Sequence, residues 1–148
     1  MNILVTGGTG FVGKLLVESL LARGDSITVL TRSIEKAQAV FPEKTPKFLT
    51  ALSTLKDLNE FDAVINLAGE PIFDKRWTVQ QKEKLRNSRI NLTQQLVQLI
   101  NQSEYPPALI SGSATGIYGN CGEDVISEDT NPSTQFTAQL CIDWENAA

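Results

Sequence analysis

Histidine is missing from all 148 residues, which removes Ser-His-Asp and Cys-His nucleophilic catalysis and the commonest zinc ligand from this chain. Any proton transfer must use other groups. Cysteine occurs only at Cys121 and Cys141, without Cys-x-x-Cys spacing or a secreted context, so free thiols are expected rather than a disulfide. Basic charge is also scarce: 13 Lys and Arg stand against 17 Asp and Glu, for a net charge of -4 and a pI near 4.8. A general nucleic-acid or membrane-surface binder needs a basic face to gain counterion release, so neither class fits. No apolar run approaches the roughly 20 residues of a transmembrane helix. The N-terminal residues have neither a basic lead nor a cleavage site, so they do not read as a signal peptide. Together these absences suit a cytoplasmic protein.

What is present is enough apolar material, 41% of the residues, for one domain with a sizeable core. The most informative stretch comes first. Strand character over Asn2 to Thr6 runs into glycines at 7, 8, 10 and 13, and Val12, Leu15, Leu16, Leu20 and Leu21 then recur at helical spacing. A strand turns sharply into a helix. Gly7 permits the tight turn, Gly10 lets backbone approach a pyrophosphate, and Gly13 lets the helix pack closely on the strand. Exposed N–H groups and the positive end of the helix dipole then meet the anion. The alternative is a glycine-rich turn that serves packing alone. The spacing is G-x-x-G-x-x-G rather than G-x-G-x-x-G.

Strand and helix patterns alternate onward. Ser26 to Thr31 reads as a strand and Ile34 to Phe41 as a short helix, with Ser33 as its cap and Pro42 past its end. A third strand is expected at Lys47 to Thr50, then a loop with a helical turn near Leu55 to Leu58. Ala63-Val64-Ile65-Asn66-Leu67 is a near-continuous apolar run ended by Ala68-Gly69, the pattern of a central parallel strand buried on both faces. One long helix is expected over Thr78 to Gln102, from Ile90, Leu96, Val97, Leu99 and Ile100. Pro106-Pro107 ends it, Ala108 to Ser113 is the next strand, and Thr115 to Pro132 reads as an aperiodic acidic loop. Phe136 to Ala148 is a helical pattern without a stop signal, which points to a truncated domain. This alternation calls for a three-layer α/β/α fold, a doubly wound parallel sheet with right-handed crossovers, spanning residues 1 to 148.

The second strand ends in Thr31-Arg32-Ser33 rather than the acidic residue that usually receives the adenosine ribose. A guanidinium at Arg32 can pair with a 2′-phosphate and stack on adenine, which favours NADP over NAD. The alternative is a solvated arginine at a strand end. Asp25 precedes its strand and cannot substitute. Leu67, Ala68 and Gly69 close the fourth strand at the edge where parallel strands present ligands, and the small residues would let backbone lie against a cofactor. Ser113 leaves the fifth strand at that edge, where its hydroxyl can hold a substrate oxygen, and Tyr118 can present a phenol or pack under its loop. Lys75, Arg76, Lys82, Lys84, Arg86 and Arg89 form a basic cluster that reads mostly as a solvated helix face. Arg76 and Trp77 are exceptions because they precede the helix near the cofactor edge. The acidic residues Glu123, Asp124, Glu128 and Asp129 show no metal spacing.

With Thr6-Gly7-Gly8-Thr9-Gly10-Phe11-Val12-Gly13, Asn66-Leu67-Ala68-Gly69 and Ser113 to Gly119, the chain resembles an extended short-chain dehydrogenase/reductase. Glu70, Arg76-Trp77, Ser88-Arg89, Ser113-Ala114, Tyr118-Gly119 and Asp143-Trp144-Glu145 narrow the resemblance to the atypical epimerase family of bacterial proteins. It spans essentially the whole chain. The resemblance implies a Rossmann fold, an NADP-type cofactor touching Gly7, Gly10, Phe11, Val12, Thr31, Arg32, Leu67, Ala68 and Glu70, and a small-molecule substrate such as a nucleotide sugar. It also implies a further C-terminal substrate-binding part, since members are about twice as long. Working enzymes of that class carry Tyr-x-x-x-Lys on the helix after the fifth-strand loop, the lysine lowering the tyrosine pKa. Alignment on Glu145 puts Thr137 and Cys141 there, and neither can do that job. Two functions therefore stand: an epimerase-like oxidoreductase, or a catalytically silent NADP-binding protein that governs an interaction.

Overall fold

The computed structural model describes residues 1–42 and 46–148. Five parallel strands form one sheet: β1 (Asn2–Thr6), β2 (Ser26–Leu30), β3 (Lys47–Leu49), β4 (Ala63–Asn66) and β5 (Ala108–Ser111), in the order β3-β2-β1-β4-β5. Between them run α1 (Phe11–Arg23), α2 (Ile34–Val40), α3 (Val79–Asn87) and α4 (Ile90–Asn101), and α5 (Phe136–Glu145) follows β5. This is the expected Rossmann-like, doubly wound architecture. The order reverses at β1, whose neighbours are β2 on one side and β4 on the other, so a crevice opens above its C-terminal end.

Alternation along the strands builds two cores. Ile3 and Val5 of β1 pack with Ile27, Val29 and Ile65 against Val17 and Leu20 of α1. Leu4 and Val64 point the other way, onto Leu58, Leu96 and Leu99. A third cluster, Leu85, Ile90, Leu140 and Trp144, joins α3 and α4 to α5. Ser33 caps α2, its Oγ accepting from the Lys36 N–H at 3.4 Å, and Gly24 ends α1 at φ 94°. Cys121 and Cys141 are free thiols. No helix among the described residues is long and apolar enough to cross a membrane.

The long helix expected over Thr78 to Gln102 is two helices, broken at Ser88-Arg89. The Arg89 N–H bonds the Arg86 carbonyl rather than that of Leu85. The freed Leu85 carbonyl accepts instead from Ser88 Oγ and Arg89 Nη1, both at 3.0 Å. Side chains have entered the helical ladder, a recognised cause of a kink. Smaller differences lie in the connections. The turn expected near Leu55 to Leu58 is a 3-10 turn at Leu52–Thr54, and the acidic loop opens with another at Thr115–Ile117.

Candidate functional site

The glycine turn is a close meeting of backbones. Gly7 sits at φ 69°, and a Cβ there would lie 2.6 Å from the Leu67 carbonyl carbon, so only glycine suits both its conformation and its space. Gly13 is buried in the first turns of α1, where a Cβ would meet the Gly7 carbonyl oxygen at 2.2 Å. Gly10 is the residue before α1 and supplies no side-chain cap. The first N–H groups of the helix are thus left for another acceptor.

An open cleft of about 1490 Å³ runs from this turn across the strand ends. Its walls include Gly7, Thr9 and Gly10, then Thr31, Arg32, Ser33 and Lys36, and on the far side Leu67, Ala68, Gly69 and Glu70. Most of the expected cofactor residues are therefore brought together on one surface. Phe11 and Val12 lie at the start of α1, 91% and 61% exposed, and neither lines the cleft. Arg76 is exposed and does not line the cleft. Trp77 beside it donates from Nε1 to the Ile72 carbonyl at 2.7 Å and stacks edge-on to Phe136.

Lys36 is a wall residue that the sequence reading passed over; it lies in the first turn of α2, four residues after Arg32, which precedes the Ser33 cap. Together they put two cations beside the end of β2. Asp25 lies at the opposite end of β2, paired with Arg23 at 2.6 Å.

A buried polar network holds the cleft floor. Asn66, fully buried, accepts from Thr6 Oγ1 at 2.7 Å and donates to Thr93 Oγ1 at 2.8 Å and Ser111 Oγ at 3.2 Å. Thr6 Oγ1 in turn accepts from the Ala68 N–H, and Thr93 Oγ1 accepts from Trp144 Nε1 at 3.1 Å while donating to the Arg89 carbonyl. Five strand and helix elements, β1, β4, β5, α4 and α5, are tied together with every partner satisfied. The signal for Thr93 was a polar residue at a core-facing position of α4.

Glu70 is fixed from three sides. Its N–H donates to Ser88 Oγ at 2.9 Å, its carbonyl accepts from Arg89 Nη2 at 3.1 Å, and its carboxylate takes Lys75 Nζ at 2.9 Å. The Lys75 ammonium holds the Glu70 carboxyl below its ordinary value, with smaller contributions from Gln81 and Arg32. Arg89, expected on a solvated face, is half-buried, with its guanidinium 5.4 Å above the Trp144 ring. Burial lowers its pKa.

Ser113 and Tyr118 stand beyond the cleft walls, next to α5. The exposed Ser113 hydroxyl donates to the Glu145 carboxylate. Tyr118 is half-buried at the end of its 3-10 turn, and its carbonyl accepts from the Cys121 thiol. Among the described residues no group of His, Cys, Asp or Glu is placed to hold a metal ion.

Comparison with known proteins finds relatives that share this fold. The NAD dependent epimerase/dehydratase family matches residues 3–147. The chain is 40% identical over 154 residues to an Arabidopsis thaliana protein named epimerase family protein SDR39U1 homolog, chloroplastic, matching all of this chain and 44% of the relative. The structure of human epimerase family protein SDR39U1 with NADPH superposes at a TM-score of 0.85 with 30% identity, covering 100% of this chain and 48% of the human one. A nucleoside-diphosphate sugar epimerase from Corynebacterium glutamicum superposes at 0.77 with 30% identity, covering 99% of this chain and 30% of its own. The chain thus spans less than half the length of each.

Proposed function

The chain belongs to the NAD dependent epimerase/dehydratase family, and from that membership we propose that it binds NADP and serves an epimerase-like oxidoreductase acting on a nucleotide sugar or another small carbonyl or hydroxyl substrate. One observation carries the reading: a single cleft joins the Gly7–Gly10 turn, the Arg32 and Lys36 cations and the Leu67–Glu70 loop. The residues suit the dinucleotide. Close-packed glycines leave the α1 N–H groups open to a pyrophosphate, and the two cations suit a 2′-phosphate rather than a ribose hydroxyl. When bound, the dinucleotide would supply the hydride acceptor or donor. The chain's part is to hold it by Gly7, Gly10, Gly13 and the first turn at Phe11 and Val12, and by Thr31, Arg32, Leu67, Ala68, Gly69 and Glu70. Ser113, with Tyr118 nearby, would hold the reacting oxygen.

The NADPH in the human relative and the sugar nucleotide in the name of the bacterial one support this choice of ligands. A cytoplasmic setting belongs to the same proposal, on the strength of two free thiols.

In the protein at its natural full length, NADPH should raise the thermal midpoint more than NADH at equal concentration, and Arg32→Ala should reduce that preference. A charge-assisted phosphate contact of about 1.5 to 3 kcal/mol corresponds to roughly a 10- to 100-fold preference. Equal stabilisation of the wild type by both would refute the NADP assignment. Label transfer from a labelled hydride donor to a panel of nucleotide sugars, lost in Ser113→Ala, tests the reaction. A second reading, a silent NADP-binding sensor, draws on Thr137 and Cys141 at the usual Tyr and Lys positions; it predicts tight binding with no transfer to any substrate.

A further inference from the structure

The side of α5 nearest the segment after β5 carries Thr137, Cys141 and Glu145, each one helical turn beyond the last. Each meets a different residue of that segment. Thr137 lies by Gly116, where an added Cβ would stand 3.8 Å from the threonine Cβ. Cys141 lies against the Ala114 backbone. Glu145 accepts the hydrogen bond of Ser113. The first two are poor proton carriers: a threonine hydroxyl is too weak an acid, and burial, then the Glu145 charge, pushes the Cys141 thiol up. The third is a carboxylate, exposed and in direct contact with Ser113, the serine proposed above to hold the reacting oxygen. Arg89 is a cation on the Cys141 and Trp144 side of α5, its guanidinium over the Trp144 ring, with no carboxylate within ion-pair distance among the described residues.

We propose that Glu145 is the proton acceptor behind Ser113, so that acid/base exchange at this site runs through a Ser113–Glu145 pair one turn beyond the helix positions where related enzymes keep tyrosine and lysine. The proposal rests on the cleft being an NADP site. In the oxidation direction the substrate hydroxyl gives its proton to Ser113 Oγ while the Ser113 proton passes to Glu145. The O–H electron pair becomes the second bond of the new carbonyl, and the two electrons of the carbon–hydrogen bond leave as hydride to NADP+. Alcohol, carboxylate and NADP+ become carbonyl, carboxylic acid and NADPH, and the exposed Glu145 returns its proton to solvent. Reduction runs the same path backwards. Glu145 acts through Ser113 and is a positioning and proton-holding residue.

The test uses full-length protein with NADP+ and NADPH as separate probes in calorimetric titrations. A carboxylate near the nicotinamide end favours the cationic oxidised ring, so Glu145→Gln should weaken NADP+ relative to NADPH by about 3- to 10-fold. Glu145→Asp should keep most of the wild-type ratio. A merely structural role would weaken both forms alike. Label transfer from NADPH to the nucleotide-sugar panel should fall by about 100-fold or more in Glu145→Gln and recover in part in Glu145→Asp. An unmoved ratio overturns the proposal while the cofactor reading stands, and a wild type that binds neither form overturns both. Transfer undiminished in Glu145→Gln, or absent in a wild type that binds both forms, overturns the proton role.

Discussion

Replacing Asn66 with leucine tests whether the polar network, rather than the apolar cores alone, sets the cleft floor. Leucine is close to asparagine in shape but lacks its oxygen and nitrogen. The Thr6 hydroxyl, fully buried, then loses the acceptor it holds at 2.7 Å, and an orphaned buried donor costs about 1 to 3 kcal/mol. Thr93 keeps the Trp144 indole as a donor at 3.1 Å, and half-buried Ser111 can turn toward water, so their two lost bonds cost about 1 kcal/mol each. Against this, burying the leucine methyls returns about 1 to 2 kcal/mol. The net expectation is a loss of about 1 to 4 kcal/mol, read from urea unfolding at pH 7. Adding Thr6→Val removes the stranded donor, and the double variant should recover about 1 kcal/mol, since replacing both partners is cheaper than replacing one. The recovery is incomplete because the Ala68 N–H loses Thr6 Oγ1, which it meets at 3.2 Å. Asn66→Leu within about 0.5 kcal/mol of wild type, or a double variant no better than the single, would refute the reasoning.

Gly13→Ala should destabilise by about 1 to 3 kcal/mol by urea unfolding although alanine is the better helix former, because its Cβ would press the Gly7 carbonyl oxygen from 2.2 Å. NADPH affinity should fall with it, since Gly7 shapes the turn; a variant more stable than wild type would remove the packing role. Glu70 makes stability pH-dependent. Its carboxyl lies below the ordinary value of 4.5 in the fold, so its contribution is present well above that pH and is lost as pH falls through the lower folded value. The difference in thermal midpoint between wild type and Glu70→Gln should therefore be present at pH 7 and shrink as the pH falls below 4.5. A gap that stays constant across that fall would contradict the Lys75 pairing as its source.

Local pattern was enough for the central part of the fold. The glycines after β1, the apolar run of β4 and the cap at Ser33 each act through backbone conformation or burial within a few residues, so they could be read in place. Arg32 was legible for the same reason, as a cation at a known strand end. The break at Ser88-Arg89 was not, because it exists only where Glu70, distant in sequence, offers its N–H and carbonyl to those side chains. Arg89 looked like one more member of a basic helix face until that contact drew it inward. Glu145 entered the sequence reading merely as an alignment marker; its partner Ser113 is 32 residues away and comes into reach only once α5 docks beside β5.

One hydroxyl joins these two kinds of information. Thr93 Oγ1 binds Asn66 at the end of β4, the Arg89 carbonyl at the helix break, and the Trp144 indole on α5. Asn66 precedes the Leu67–Glu70 wall of the cleft, and Trp144 precedes Glu145. Any shift of α5 relative to β4 must therefore break a buried hydrogen bond, a larger penalty than an exposed pair could impose. This coupling gives a physical reason for the Ser113–Glu145 pair to stay in register with the cofactor wall although both its members are exposed. It also separates two outcomes of Asn66→Leu. If the network aligns the halves of the site, NADPH affinity and the NADP+/NADPH preference change together; if it supports only the fold, stability falls while both binding measures hold.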